Sequence, residues 1–133
     1  SRLLRTARSR QLWLLHRASA DPGRRLALAE AGAATVEIAD RGGDLDLPDA
    51  LSALAARGLT RVLCEGGGRL AAGLLRAGLV DEIALFSAGL ALGGDGAAAV
   101  AGLGLGALTE APRFRLVDAE RIGADILARW RPI

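Results

Sequence analysis

The sequence predicts an α/β fold, a mainly parallel mixed sheet flanked by helices and finished by an antiparallel hairpin. Three observations carry that expectation. Short apolar runs alternate with amphipathic stretches from Leu12 to Leu79, the order of a parallel sheet with crossover helices. One junction, R-V-L-C-E-G-G-G-R-L-A-A-G-L-L-R-A-G-L from Arg61 to Leu79, passes from an apolar run through three glycines into a helical repeat. Near the C-terminus, residues 114–117 and 126–130 alternate on either side of Gly123, as the arms of a hairpin do.

Taken in order, residues 1–10 are basic and lack a period, and they are expected to run into the sheet. Leu12 to Leu15 form a first strand that ends at His16-Arg17-Ala18-Ser19. Asp21-Pro22 caps and starts a helix whose apolar face is Leu26, Leu28 and Ala29, and Gly32 stops it. Thr35 to Ala39 alternate as a strand, and Asp40-Arg41-Gly42-Gly43-Asp44 is a polar turn. A second helix opens at Leu47-Pro48-Asp49, presents Leu51, Leu54 and Ala55, and ends at Gly58. Val62-Leu63-Cys64 is expected as a buried strand closing on Glu65, with Cys64 an inert interior thiol. Ile83 to Leu92 predict a long strand, and the Ala/Gly/Leu stretch up to Leu108 a short helix with loops.

Chemistry concentrates at the glycine junction. The first N–H groups of a helix have no partner within it, and the peptide dipoles leave positive potential there, which suits phosphate. Glycine lets an anion approach the backbone, and Arg69 adds a cation in the first turn. Glycines in such turns also serve packing alone, and neither a P-loop nor a G-x-G-x-x-G pattern is present. Glu65 ends an apolar run at the place where α/β sheets hold ligands, so it must be solvated, paired or used. His16, the single histidine, ends another strand, where it is either a second ligand contact or an edge residue without chemistry.

Composition narrows the partners. All 17 basic residues are arginine, the net charge is only +2, and aromatics make up 3% of the chain, so neither a basic nucleic-acid footprint nor a base-stacking platform is expected. One cysteine excludes a disulfide framework and a clustered metal site, and no run is long enough to cross a membrane. A single cytoplasmic domain spanning 1–133 is the expectation.

The motif E-G-G-x-x-L-A-x-x-L-L-x-A-G-L-V-D-E-I from Glu65 to Ile83, with Leu92-Gly93-Gly94, Gly102-Leu103-Gly104 and A-P-R-F-R-L-V from Ala111 to Val117, resembles the reductase domain of the bifunctional riboflavin-biosynthesis deaminase/reductase. The resemblance runs the length of the chain and implies a dihydrofolate-reductase-like fold. It implies NADPH-dependent reduction of the ribosyl group of 5-amino-6-(5-phosphoribosylamino)uracil, a phosphorylated pyrimidine, by a homodimer. By position, Glu65 matches the acid that contacts substrate, and Gly67, Gly68, Arg69, Leu70, Ala71, Ala72 and Gly73 match the segment around the cofactor phosphates. His16 and Arg17 fall on the adenosine side of the cofactor, where an arginine fork would suit a 2′-phosphate. Glu65 is the one candidate for a general acid, either a proton donor or only a hydrogen-bond anchor, and no metal ligand is implied.

Two departures qualify this. Gly68 and Arg69 stand where the family usually has proline, alanine or serine and then often threonine. The family's first strand and helix, and its zinc deaminase domain with H-x-E and P-C-x-x-C, have no counterpart here, so the chain is expected to be the C-terminal part of a longer enzyme with exposed sheet edges. The rival expectations are a non-catalytic nucleotide-binding or dimerisation module, a same-fold reductase of another pyrimidine or pteridine, and a purely structural domain.

Overall fold

The computed structural model describes residues 7–133; the expectation for the first six residues lies outside the described part, and residues 7–10 form a turn and bend. The described chain divides into two compact units, one ending at Val62 and the other starting at Leu63. The first carries two two-stranded sheets and the second one three-stranded sheet.

In the first unit, strand β1 (Trp13–His16) pairs in parallel with β2 (Ala34–Glu37), Trp13 opposite Ala34 and His16 opposite Glu37. Helix α1 (Pro22–Glu30) is the crossover that a parallel pair requires. The Asp21 side chain accepts the Arg24 N–H at 2.7 Å, so the sequence signal for this helix start is a working cap. Helix α2 (Leu47–Ala55) begins in the same way, with Asp46 Oδ1 accepting the Asp49 N–H at 3.0 Å. Val36, Ile38 and Ala50 form the buried core between β2 and α2, with Leu15, Leu45 and Ala53 packed against it.

The expected polar turn at 40–44 is a two-stranded ladder, β3 (Asp40–Arg41) with β4 (Asp44–Leu45). Gly42 and Gly43 connect these strands at φ +61° and +89°, the left-handed pair of a tight hairpin.

The second unit carries helix α3 (Gly68–Arg76) and an antiparallel sheet in the order β5 (Ile83–Ser87), β7 (Asp125–Pro132), β6 (Phe114–Ile122). The predicted hairpin is β6–β7, turning at Gly123 with φ +63°, and a bulge between Leu116 and Asp118 shifts its register. Arg129 of β7 reaches Asp118 at 2.9 Å and Glu120 at 3.0 Å on β6, and Arg131 reaches Glu82 at 2.9 Å. Ala72 and Leu127 are the most buried apolar residues of this unit.

Four expectations need correction. Residues 59–67 form no strand: Val62 is 53% exposed and Leu63 80% exposed, and no ladder reaches them among the described residues. Apolar alternation reports what a segment could bury, whereas a strand exists only where a second backbone pairs with it. Cys64 is consequently exposed, not an interior thiol. The strand at Ile83 stops at Ser87 and not at Leu92, because Ser87 pairs with Ile126 and the partner strand begins at Asp125. The Ala/Gly/Leu stretch contains no α-helix, only 3-10 turns at Gly93–Asp95 and Leu108–Glu110, since its glycines withhold helical stabilisation. The mixed α/β class holds, with less parallel pairing than expected because the 62–65 segment joins none of the three sheets.

Candidate functional site

The glycine junction of the second unit is an extended segment leading directly into α3. Gly67 is the N-cap, at φ −62° and ψ 172°, and no side chain caps the helix. Gly68 is already helical, so only Gly66 and Gly67 turn the chain. The three glycines do different work. A Cβ on Gly66 would meet Leu70 Cδ2 at 2.6 Å, and one on Gly68 would meet the Ala98 carbonyl oxygen at 2.5 Å. The Ala101 N–H also donates to the Gly68 carbonyl at 2.9 Å, so Gly68 is small because the 98–101 backbone lies against it. A Cβ added at Gly67 would meet nothing within 4 Å, and the residue is exposed. Open space beside a helix N-terminus without a side-chain cap fits a phosphate of a dinucleotide by the chemistry of its donors.

Arg69 and Leu70 are exposed in the first turn of α3, Ala71 and Gly73 are half-buried, and Ala72 is 1% exposed. Ala72 therefore serves the interior of the unit and presents no surface to a ligand. Glu65 is exposed two residues before the N-cap, on the same side of the junction in sequence as Gly67.

The other predicted contacts belong to the first unit. Because β1 and β2 are parallel, their carboxyl ends lie together, and a cavity of about 300 Å³ opens there, lined by Ala18, Ser19, Glu37, Ile38, Ala39 and Asp40. Parallel sheets hold ligands at this end. His16 does not line it: the ring is 8% exposed, and Nδ1 lies 3.0 Å from the Arg17 carbonyl, which only accepts, so Nδ1 carries the proton. Arg17 Nη1 donates to Asp40 Oδ2 at 3.1 Å and to the Gly43 carbonyl. Asp40 Oδ1 in turn accepts the Gly43 N–H at 2.9 Å, and Asp49 Oδ2 accepts the Ala39 N–H at 2.7 Å. The cavity rim is thus assembled by carboxylates that cross-link strand end, hairpin and helix start.

Glu37, Asp40 and Asp49 were not singled out from the sequence. The available signal was the position of residues 37–40 at the end of a strand parallel to β1, the same reason that pointed to His16 and Arg17. Among the described residues there is no cluster of histidine, cysteine and acidic side chains able to hold a metal ion, and no helix is long and apolar enough to cross a membrane.

Comparison with known proteins agrees with this architecture. Residues 2–128 match the RibD C-terminal domain family. The riboflavin biosynthesis protein RibD of Escherichia coli is 34% identical over 92 residues, which is 69% of this chain and 25% of that protein. A Methanothermobacter thermautotrophicus protein named 2,5-diamino-6-ribosylamino-4(3H)-pyrimidinone 5′-phosphate reductase is 32% identical over 87 residues, 65% of this chain and 40% of its own. Among solved structures, Acinetobacter baumannii RibD superposes with a TM-score of 0.70 at 23% identity, covering 91% of this chain and 37% of that one. A pyrimidine reductase-like protein from Corynebacterium diphtheriae gives 0.68 at 22% identity, covering 91% and 50%. These structures share the dihydrofolate-reductase-like fold. The matched segments are a quarter and two-fifths of the lengths of the two sequence relatives. The chain belongs to the RibD C-terminal domain family.

Proposed function

We propose that this chain is the reductase domain of a riboflavin-pathway enzyme, reducing the ribosyl group of a 5′-phosphorylated ribosylaminopyrimidine to a ribityl chain. The specific substrate is 5-amino-6-(5-phosphoribosylamino)uracil, and NADPH supplies the hydride when bound. The observation that carries the reading is Gly67, an exposed helix N-cap with no capping side chain, where an added Cβ would meet nothing within 4 Å, inside the segment matched to the family. Backbone N–H groups at the start of α3 would hold a cofactor phosphate, with Arg69 adjacent. Arg17 and Ser19, at the carboxyl end of β1, would face the adenosine end of the cofactor, and Glu65 would orient the pyrimidine by accepting its N–H groups. Binding and positioning suffice for these residues, since the cofactor carries the reacting hydrogen. A homodimer is part of the proposal.

The test is turnover: loss of nicotinamide absorbance on mixing the purified protein with NADPH and either the uracil substrate or its 2,5-diamino-pyrimidinone counterpart. Oxidation dependent on the uracil compound is expected. Oxidation with the diamino compound alone would transfer the assignment to the chemistry in the archaeal relative's name, and oxidation with neither would refute the reductase reading.

A further inference from the structure

The strand-end cavity has a charge balance that a site dedicated to a phosphorylated adenosine would not choose. Two carboxylates, Glu37 and Asp40, line it. The nearest guanidinium bonded to that lining, Arg17, already spends Nη1 on Asp40 Oδ2 and the Gly43 carbonyl. Arg41, the next residue after Asp40, is directed elsewhere, to Asp46 at 3.5 Å. A 2′-phosphate entering here would have to draw Arg17 away from Asp40 or lie beside an uncompensated carboxylate. A free 2′-hydroxyl meets no such cost, because it donates a hydrogen bond to a carboxylate.

We infer that Asp40 is the residue that sets cofactor preference, holding Arg17 and presenting a carboxylate to the adenosine ribose so that discrimination between NADPH and NADH is weak. The inference rests on the reductase reading and deepens it. Asp40 has the right construction for this role. Oδ1 is committed to the Gly43 N–H of the hairpin, which fixes the carboxylate, while Oδ2 faces Arg17. Both partners of the ion pair are part-exposed, 36% and 45%, so a ligand can compete for the guanidinium. Glu37 is the β2 residue opposite His16 and adds its charge to the same cavity without a basic partner of its own among the described residues.

The test is the Kd of NADPH and of NADH, by calorimetry, for the intact protein and for Asp40→Asn, Arg17→Gln and the double variant. Asn keeps the Oδ1 acceptor for the Gly43 N–H and removes only the charge, and a thermal melt of each variant reports folding. Asp40→Asn is expected to tighten NADPH about fivefold, ~1 kcal/mol, and to change NADH less than about twofold. In the Arg17→Gln background the NADPH gain should shrink, since part of it comes from releasing the arginine. Equal changes for both nucleotides, or no change for NADPH, would overturn the role of Asp40 while leaving the reductase reading in place. Binding of neither nucleotide to the unsubstituted protein would overturn both.

Discussion

The glycine junction before α3 and the strand-end cavity after β1 and β2 are offered to the same kind of ligand, yet they are made in opposite ways. At the junction the proposed contact surface is backbone: a Cβ on Gly67 would meet open space at a helix N-terminus, while Gly66 and Gly68 are small because Leu70 and the 98–101 backbone occupy the space beside them. At the cavity the surface is side chain, with Asp40, Glu37 and Arg17 setting the charge and Asp49 and Asp46 holding the elements. A backbone site is fixed by packing and is sensitive to added atoms. A side-chain site is fixed by exposed ion pairs and tolerates loss of atoms, but its selectivity moves with each charge.

That contrast orders the expected effects. Gly68→Ala should be the most damaging, because its Cβ would lie 2.5 Å from the Ala98 carbonyl oxygen and backbone cannot step aside cheaply. The helix-propensity gain of alanine, ~0.5–1 kcal/mol, is smaller than an overpacking cost of about 1–3 kcal/mol, so a lowered Tm is expected. A Tm at or above that of the unsubstituted protein would show that the 98–101 segment does not hold Gly68. Asp49→Ala comes next, leaving the Ala39 N–H without its acceptor at the cavity rim, at a cost of about 1 kcal/mol measured by urea unfolding. Arg17→Gln should be smallest for stability, under ~1 kcal/mol, since its partner Asp40 is 45% exposed. A larger loss there would mean that the ion pair is a structural clamp rather than an adjustable charge.

The same contrast explains what the sequence made legible. The helix starts at Asp21-Pro22 and Leu47-Pro48-Asp49 are legible because their signals act within one turn, although the Asp46 cap of the second is seen only in the structure, and the hairpin about Gly123 is legible because both arms carry their own alternation. The glycine junction was visible as a local string, although which of its three glycines stays open depends on Ala98 and Leu70, and for Ala98 that contact is 30 positions away in a low-complexity stretch. The Arg17–Asp40 pair joins residues 23 apart and was not legible, because only the parallel register of β1 and β2 brings their ends together. The strand expected at 62–65 is absent for the complementary reason: its apolar residues could be buried in a sheet, but pairing is a property of two segments and no single string reveals its absence.

The account turns on Gly67 as a phosphate contact, and one substitution separates ligand from fold. Aspartate is a better N-cap than glycine by a few tenths of a kcal/mol, its Cβ meets nothing within 4 Å there, and its carboxylate would occupy and repel the place of a phosphate. NADPH affinity and Tm should therefore be measured together for Gly67→Asp. The account predicts a Tm equal to or above that of the unsubstituted protein with NADPH binding weakened at least about tenfold, ~1.4 kcal/mol. Unchanged NADPH affinity in a folded Gly67→Asp protein would contradict it.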